Sequence, residues 1–280
     1  MDVQGELEQE AKQDAAAPGD NEPRRGPWMQ YRVPRGFEWN RYTLPIAALP
    51  PELEGLRVAQ ITDLHLRKFW SEAYDKLIER VRQESPDLLL ITGDFVDNKR
   101  RPGRAAPTVR RLVSGLKARL GVFGILGNHD RYHLRPYLDG IGLTLLDKES
   151  RRIDVDGAEL ELLALPGVDR RHLTAQLLSS YPPKTVGVPR LILAHFPDHI
   201  RKAAQLKPDI YFAGHTHGGQ ICLPNGFAPV RHDSLPRAFC KGVHRIHNTW
   251  FVVGRGMGFT GLPFRFFCPT EVVEVTLTRG

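Results

Sequence analysis

Short apolar segments alternate with amphipathic stretches along the first half of the chain. Residues 57–61, 88–91 and 122–126 are apolar-rich segments of strand length. Between them, apolar residues recur every three or four positions over 73–81 and again over 109–120, which is the period of a helix with one buried face. The pattern therefore predicts a βαβαβ opening.

The second half of the chain is richer in strands. The turn Asp156–Gly157 separates two apolar segments, 153–155 and 160–165, as in a β-hairpin. A helix is predicted over 197–205, and the remaining strands are predicted at 191–194, 210–213, 249–253 and 272–277. The whole pattern predicts an α/β (α+β) fold in which helices lie outside two sheets.

Residues 1–27 differ from the rest of the chain because they are rich in Glu, Gln, Ala, Asp, Pro and Gly. Such a segment buries too little apolar area to offset the entropy of ordering it, so we expect a disordered acidic tail, followed by a single domain over 28–280. We see no secretory signal and no apolar run of the roughly 20 residues that a membrane helix needs. The three cysteines form no CxxC pair. We therefore expect a cytoplasmic protein with reduced thiols.

The formal net charge is +7, but the charges are unevenly distributed. Residues 1–22 contain seven acids and one lysine, whereas the stretch 99–119 contains eight lysines and arginines and no acid. A basic stretch of this kind fits a polyanionic partner: a phosphate-containing small molecule, the headgroups of an anionic membrane, or nucleic acid. A solvated helix face would explain it equally well.

Polar side chains of three types, Asp, His and Asn, follow five of the predicted strands. Because loops at the carboxyl ends of strands converge on one crevice in layered α/β proteins, we expect these side chains to meet. Carboxylate and imidazole ligands favour divalent ions such as Mn, Fe or Zn, and seven candidates exceed what one ion needs. The sequence therefore predicts two ions that share a carboxylate, an arrangement suited to attack on phosphorus. The candidate ligands are Asp63, His65, Asp94, Asn128, His195, His215 and His217.

The order of these motifs resembles the calcineurin-like metallophosphoesterase family. The motifs are Asp63-x-His65, Gly93-Asp94-x-x-Asp97, Gly127-Asn128-His129-Asp130, His195 and Gly214-His215-x-His217. The resemblance covers residues 55–277. It implies a four-layer αββα sandwich of two mixed sheets flanked by helices, with a binuclear metal centre.

The resemblance also implies a role for each residue. One ion would be held by Asp63, His65 and His217, the other by Asn128, His195 and His215, with Asp94 as the bridge; a metal-bridging hydroxide would be the nucleophile. His129 would act as a catalytic residue on the phosphoryl or leaving-group oxygen, and Asp130 would orient its ring. Asn128 is also a candidate substrate contact. Asp97 and Asp198 either hold ligand histidines in position or are ordinary turn residues.

Three further segments resemble one bacterial branch of the family: 214–220, Arg255-Gly-Met-Gly, and Arg265 before Pro269-Thr-Glu. That branch includes membrane-associated phosphodiesterases and a UDP-2,3-diacylglucosamine pyrophosphatase of lipid A synthesis. The resemblance implies a phosphodiester or pyrophosphate substrate, with a lipid-linked nucleotide as one candidate, and peripheral contact with the inner face of the membrane. Arg265 is a candidate phosphate contact. The aromatic cluster over 259–267 would suit an acyl chain or a bilayer, or would close the end of the core.

Two other functions stay open. A nuclease is favoured by the positive charge and the arginine run, although no aromatic residues are interleaved with those arginines to stack bases. A catalytically silent scaffold would be expected to have lost metal ligands, and none of the set is missing. Mixed nitrogen and oxygen ligands admit Mn, Fe and Zn alike, with Mn as our first choice.

Overall fold

The computed structural model of the chain describes residues 28–98, 100–231 and 233–280, so the predicted tail over 1–27 lies outside the described residues. In chain order, the strands of the described part are β1 (Met29–Tyr31), β2 (Glu38–Ile46), β3 (Arg57–Ile61), β4 (Leu88–Thr92), β5 (Val122–Ile125), β6 (Leu143–Leu145), β7 (Ser150–Val155), β8 (Ala158–Ala164), β9 (Arg190–Leu193), β10 (Ile210–Ala213), β11 (Gly242–Ile246), β12 (Thr249–Val253), β13 (Phe264–Phe266) and β14 (Glu271–Arg279).

The α-helices are short and lie between the strands. None of the described helices is long and apolar enough to cross a bilayer. The helices are α1 (Glu72–Glu84), α2 (Ala106–Gly115), α3 (Arg135–Leu138), α4 (Ala175–Ser180) and α5 (Ile200–Ala203).

Two six-stranded sheets form the centre of the fold, and both are mixed. The first has the order β2-β14-β3-β4-β5-β6, in which β14 runs antiparallel to β3 and the other neighbours are parallel. The second has the order β11-β12-β10-β9-β8-β7, in which the central strands are parallel and both edge strands are antiparallel to their neighbours. A short antiparallel pair, β1 with β13, lies outside both sheets.

Three apolar cores define the layers. The facing sides of the two sheets form the central core, with Leu90 and Phe123 from the first sheet against Leu162 and Leu193 from the second. Another core lies between the first sheet and helices α1, α2 and α3, and a third lies between the second sheet and helices α4 and α5. The layers therefore follow the order helix, sheet, sheet, helix, which confirms the predicted αββα sandwich.

Local sequence chemistry sets the ends of several elements. The hydroxyl of Ser71 accepts the Ala73 N–H at the start of α1, and Pro86 follows soon after the helix ends. The predicted hairpin forms between β7 and β8. Asp156 and Gly157 both have positive φ, as the tight two-residue turn requires.

Two predicted helices are shorter in the structure than in the sequence pattern. The α2 helix ends at Gly115, where a Cβ would lie 2.7 Å from Ile78 Cδ1, so this glycine lets α2 approach α1 closely. Leu116 then adopts an extended backbone while its side chain stays buried, which preserves the apolar pattern without the helix. The predicted helix over 197–205 is divided into α5 and two flanking 3-10 turns.

The sequence pattern did not predict β2. Its buried positions include Glu38 and Asn40, which do not fit an alternation of apolar and polar residues. Arg255 pairs with Glu38, and Asn40 donates to Glu271 at 2.6 Å. These partners lie more than 200 positions away in the chain. The strand therefore depends on contacts that local sequence cannot reveal.

The buried pair between Arg190 and Glu161 provides a test of this packing. Arg190 is 1% exposed, contacts Glu161 at 2.7 Å and donates to the carbonyls of Leu206 and Pro182. The change Arg190→Met leaves the Glu161 carboxylate buried without its partner. We expect the free energy of unfolding, measured with denaturant, to fall by about 3–5 kcal/mol.

An exposed pair on the neighbouring hairpin is the matched control. Arg152 pairs with Glu159, and both side chains are more than 40% exposed. Because exposed pairs contribute little, Arg152→Met should change the free energy of unfolding by less than about 1 kcal/mol. Equal effects of the two substitutions would contradict the assignment of Arg190 to the buried network.

Candidate metal centre

The seven predicted ligands lie together at one edge of the sandwich. They follow β3, β4 and β5 in the first sheet and β9 and β10 in the second, so all of them come from the carboxyl ends of parallel strands. In the described part of the chain, their ligand atoms form two adjoining clusters. The predicted convergence of the five loops is therefore observed.

The first cluster contains Asp63, His65 and His217. The Nε2 atoms of His65 and His217 are 3.1 Å apart, and Asp63 Oδ1 lies 3.9 Å from the first and 3.5 Å from the second. Metal–ligand bonds of about 2.0–2.2 Å place neighbouring ligands of one ion roughly 3–3.5 Å apart. The spacing therefore suits a single ion.

The second cluster contains Asn128, His195 and His215. His195 Nε2 lies 2.9 Å from Asn128 Oδ1 and 3.3 Å from His215 Nδ1. The Oδ2 atom of Asp94 is 3.4 Å from His195 Nε2 and also 3.4 Å from His65 Nε2. Asp94 is thus the carboxylate between the two clusters, as the resemblance implied.

The donor set fits divalent metal ions. It consists of carboxylate oxygens, an amide oxygen and imidazole nitrogens, which are ligands of borderline ions such as Mn, Fe and Zn. No thiol of the described residues belongs to either cluster, so the set lacks the sulfur ligands typical of structural zinc. The buried position, 0% exposure for Asp63 and 2% for Asp94, also calls for a positive charge to offset two carboxylates.

Hydrogen bonds orient three of the ligand side chains, those of Asp63, Asp94 and His195. Asp63 Oδ2 accepts from the Thr62 hydroxyl at 2.8 Å and from the His215 backbone at 2.9 Å. Asp94 Oδ1 accepts from the His129 backbone N–H at 2.8 Å, which leaves Oδ2 between the clusters. His195 Nδ1 lies 3.0 Å from the Thr92 carbonyl and donates to it, so Nε2 is the nitrogen available to a metal.

Two of these supporting residues, Thr62 and Thr92, were not predicted from the sequence. Each stands at the end of a strand, directly before Asp63 or the Gly93-Asp94 motif. A threonine at both positions is the signal that could have identified them. Thr92 acts through its backbone carbonyl, however, and no residue type specifies that contact.

The backbone at the centre adopts conformations that most residues avoid. Five of the seven ligands have positive φ: Asp63, His65, Asp94, His215 and His217. Left-handed backbone at residues other than glycine costs energy and persists only where surrounding contacts enforce it. This cluster of outliers is typical of a functional site.

Two glycines let the loops approach the carboxylates. A Cβ on Gly214 would lie 2.0 Å from Thr62 Oγ1 and 2.4 Å from Asp63 Oδ2, and one on Gly127 would lie 2.2 Å from Asp94 Oδ1. No side chain fits at such distances. The glycines of the two motifs are therefore required by the packing of the loops around the carboxylates.

Burial and neighbouring charges set the protonation of the ligands. Burial lowers the pKa of His65 to about 3 and that of His217 well below its ordinary value. Burial raises the pKa of Asp63 to about 6. For Asp94, burial opposes ionisation, but His195 and His65 hold its pKa well below the usual range. Burial also opposes the charge on His195, yet Asp94 raises the pKa of His195 to about 9. Burial thus keeps His65 and His217 in the neutral form that binds a metal, whereas His195 must release a proton when a metal binds.

His129 lies beside the first cluster, but its ring is not oriented as predicted. Its ring centroid is 4.7 Å from that of His65, and its Nδ1 donates to the Asp97 carbonyl at 2.8 Å. The carboxylate of Asp130 instead accepts the backbone N–H groups of Val96 and Gly127. Asp130 therefore ties two ligand loops together, and the expectation that it orients His129 is corrected, because its oxygens already accept these two bonds.

The structure also places Arg265 away from the substrate contact expected for it. Arg265 is 1% exposed, and its guanidinium donates to the carbonyls of Gly258 and Arg255 and contacts His217 Nδ1 at 3.1 Å. A guanidinium enclosed by these acceptors is not available to a phosphate. Arg265 is a positioning residue for His217.

The two other predicted carboxylates have different outcomes. Asp97 Oδ1 lies 3.8 Å from His65 Nδ1, a nitrogen that has no hydrogen-bond partner among the described residues, so Asp97 stands where a carboxylate would hold this ligand. Asp198 instead pairs with Arg170 and accepts from Ser234. The expectation that Asp198 supports a ligand histidine is therefore wrong.

The basic stretch 99–119 is partly used within the protein. Arg110 donates to the carbonyls of Tyr137 and Asp139, Arg111 lies over the Trp70 ring, and Arg119 pairs with Asp87. Arg100, Arg101 and Arg104 are exposed, and Lys99 lies outside the described residues. The stretch is therefore only in part a surface that a partner could contact.

The aromatic cluster 259–267 has two parts. Phe259 is buried, whereas Leu262 is 51% exposed. Phe266 and Phe267 pack against Trp28, with ring centroids 5.4 and 6.0 Å apart. One part of the cluster closes the core, and another lies at the surface beside β1.

A four-layer αββα sandwich that carries two ligand clusters around one carboxylate is a metallophosphoesterase. The chain belongs to the calcineurin-like phosphoesterase family, whose sequence pattern matches residues 56–219. It is therefore a phosphoester hydrolase with residues for divalent metal.

Two bacterial relatives match most of this chain. It is 27% identical to the metallophosphoesterase YkuE of Bacillus subtilis. The alignment spans 258 residues and covers 89% of this chain and 88% of that protein. It is 30% identical to the metallophosphoesterase Cj0846 of Campylobacter jejuni. That alignment spans 239 residues and covers 82% of this chain and 61% of that protein. Among solved structures, a dimetal phosphatase from Danio rerio superposes with a TM-score of 0.43 and 13% identity, over 73% of this chain and 88% of that one.

The contact of Gly214 with Asp63 leads to the first prediction about the centre. In Gly214→Ala the new Cβ displaces the Asp63 carboxylate, so the first cluster should lose its metal while the second keeps one. Metal content after loading with Mn²⁺, measured by mass spectrometry, should fall from two ions per chain to one. Gly36→Ala is the control, since a Cβ there meets nothing within 4 Å. Full metal content in Gly214→Ala would contradict the proposed packing.

The contact of Arg265 with His217 leads to the second prediction about the metal centre. Arg265→Lys keeps the charge but removes the planar group that donates to the His217 backbone carbonyl at 3.2 Å, and loss of the contacts that support a ligand histidine typically costs 10–100-fold in metal affinity. We expect the Kd for Mn²⁺ at the weaker site to rise by about 10–100-fold. Calorimetric titration measures this Kd, and thermal unfolding of the metal-free protein checks that the variant is folded. An unchanged Kd would show that Arg265 does not position His217.

Proposed function

We propose that the protein is a two-metal phosphohydrolase that cleaves a phosphodiester or pyrophosphate bond. The position of Asp94 carries this proposal, since its Oδ2 atom is equally distant from one histidine of each cluster. Two ions that share a carboxylate are suited to hold both the attacking and the leaving oxygen in an in-line displacement. The donor set admits Mn, Fe and Zn alike, and we propose Mn as the first choice.

The protein would contribute positioned ligands and a proton donor. When bound, the two ions lower the pKa of a water molecule and neutralise charge on the phosphoryl oxygens. Asn128 directs its carbonyl oxygen toward His195, so its amide N–H groups are available to a phosphoryl oxygen. His129 donates through Nδ1 to the Asp97 carbonyl, which leaves Nε2 as the ring nitrogen that would pass a proton to the leaving-group oxygen.

The substrate we propose is a phosphate-containing small molecule, with a lipid-linked nucleotide such as UDP-2,3-diacylglucosamine as one candidate. The resemblance to the branch with the lipid A enzyme supports this candidate. Exposed apolar side chains at β1 and the adjoining loop, among them Trp28, Met29 and Leu262, support a peripheral contact with an anionic membrane from the cytoplasmic side.

A general phosphodiesterase or nuclease is the alternative function. Three arginines of the stretch 99–119 already contact protein groups, which leaves fewer cations for a nucleic-acid backbone. A catalytically silent scaffold is disfavoured because every ligand of both clusters is present and converges.

Hydrolysis of bis(p-nitrophenyl) phosphate, p-nitrophenyl phosphate and UDP-diacylglucosamine by metal-free and Mn²⁺-loaded protein tests the proposal. We expect Mn²⁺-dependent turnover of a diester or pyrophosphate. Asp94→Ala should lose both activity and bound metal because the bridge is gone. His129→Ala should keep its metal and lose about 10²–10⁴-fold in kcat, since only the proton donor is removed.

His247→Ala is the control for these variants. His247 is exposed in the turn between β11 and β12, beside the amino ends of β9 and β10 and thus at the far end from the metal centre, so it should retain full activity. Turnover by Asp94→Ala equal to that of the wild type would overturn the two-metal assignment. Two bound ions with no turnover of any phosphoester would favour the scaffold.

A further inference from the structure

A pocket of about 280 Å³ opens beside the first ligand cluster, and its wall includes His65. Its walls come from the loop between β3 and α1, from the residues that follow β1, and from the residues that precede β13. Its lining combines the aromatic residues Phe69, Tyr74 and Phe259 with two basic residues, Arg32 and Arg67. We call this space the His65 pocket.

The floor of the His65 pocket is apolar. Tyr74 and Phe259 are each 3% exposed, so their rings form a fixed surface. At the mouth, Phe69 is 62% exposed, which is an unusual position for a phenylalanine in a folded domain. A ring held at the mouth of a cavity offers a face on which another planar or apolar group can pack.

Cations surround this apolar surface. Lys68 Nζ lies 4.8 Å from the centroid of the Phe69 ring, and Arg32 and Arg67 stand in the pocket wall. Arg67 donates to Asp97 Oδ2 at 3.0 Å and keeps further N–H groups for other acceptors. The pocket is therefore suited to a group that carries oxygen acceptors or negative charge as well as an apolar part.

Two residues of the pocket wall, His65 and Arg67, connect the pocket to the proposed proton donor His129. The ring of His129 is 4.7 Å from that of His65, and Asp97 joins the two regions by holding His129 through its carbonyl and Arg67 through its carboxylate. A phosphoryl group on the metals with its leaving oxygen toward His129 would thus extend its organic group into the His65 pocket.

We propose that the His65 pocket binds the organic leaving group of the substrate, and that this group is ring-sized, apolar on one face and bears anionic or acceptor oxygens. The proposal rests on the phosphohydrolase function given above and narrows its substrate class. Substrates whose leaving group is a small alkyl alcohol leave the pocket empty, and they should bind more weakly.

Phosphonates that resist hydrolysis test this proposal by binding alone. Methylphosphonate and phenylphosphonate share the group that reaches the metals and differ only in the ring. Calorimetry on Mn²⁺-loaded protein should show that phenylphosphonate binds about 10-fold more tightly than methylphosphonate. This is the gain in affinity expected when one aromatic ring packs on another and is buried. In Phe69→Ala this preference should shrink to about 2-fold or less, while the Kd of methylphosphonate stays unchanged.

Phe227→Ala is the matched control, because Phe227 is 46% exposed and does not line the pocket. It should keep the full preference for phenylphosphonate. Equal affinities for the two phosphonates in the wild type would overturn the proposal, and so would equal effects of the Phe69 and Phe227 substitutions. Failure to bind either phosphonate would instead overturn the phosphohydrolase function itself.

A second ligand tests whether the basic residues of the pocket wall bind an anionic group. The ligand 4-phosphonobenzoate adds a carboxylate to the ring, and we expect the wild type to bind it about 2- to 5-fold more tightly than phenylphosphonate, the range of a partly exposed ion pair. Arg32→Leu should remove this gain without changing the Kd of phenylphosphonate. If Arg32→Leu still binds 4-phosphonobenzoate more tightly than phenylphosphonate, Arg32 does not bind the added carboxylate.

Discussion

The carboxylate of Asp94 lies buried between two groups of imidazoles, and the geometry around it depends on where its two oxygens point. One oxygen accepts the His129 backbone N–H, which leaves the other oxygen equidistant from His65 and His195. A carboxylate that is 2% exposed is costly unless hydrogen bonds and positive charge compensate it. The neighbouring histidines supply part of that compensation, and two divalent ions would supply the rest.

The loops around Asp94 have little freedom because they must bring backbone atoms against the carboxylates. Gly127 contacts Asp94, Gly214 contacts Asp63, and five ligands adopt left-handed backbone. The His215 backbone N–H binds Asp63 across 152 positions of sequence, so each loop stabilises the strained conformation of another. Folding of the two sheets onto a common core thus supplies the energy that holds the centre in place.

The groups for chemistry and the groups for recognition come from different parts of the fold. All ligands follow parallel strands of the two sheets, whereas one wall of the His65 pocket comes from residues beside the small β1–β13 pair, outside both sheets. Arg265 on β13 connects them, because it donates to the carbonyl of Gly258 at the pocket and to the carbonyl of His217 at the metal centre. Displacement of the β1–β13 strand pair would therefore change both binding and catalysis.

The sequence alone predicted helices outside two sheets and seven candidate metal ligands, and its resemblance to a known family implied the αββα layering and the division of these candidates into two clusters. Each of these depends on short-range information: the period of apolar residues, the position of a polar residue after a strand, and the spacing within a motif. Contacts between distant segments were decided only by the tertiary structure. Strand β2 is stabilised by Arg255 and Glu271, the ring of His129 is held by the Asp97 carbonyl, and Arg265 is enclosed by backbone acceptors. The physical reason is the same in each case: a buried polar group takes whichever partner the packed chain brings within about 3 Å, and no local pattern encodes that partner.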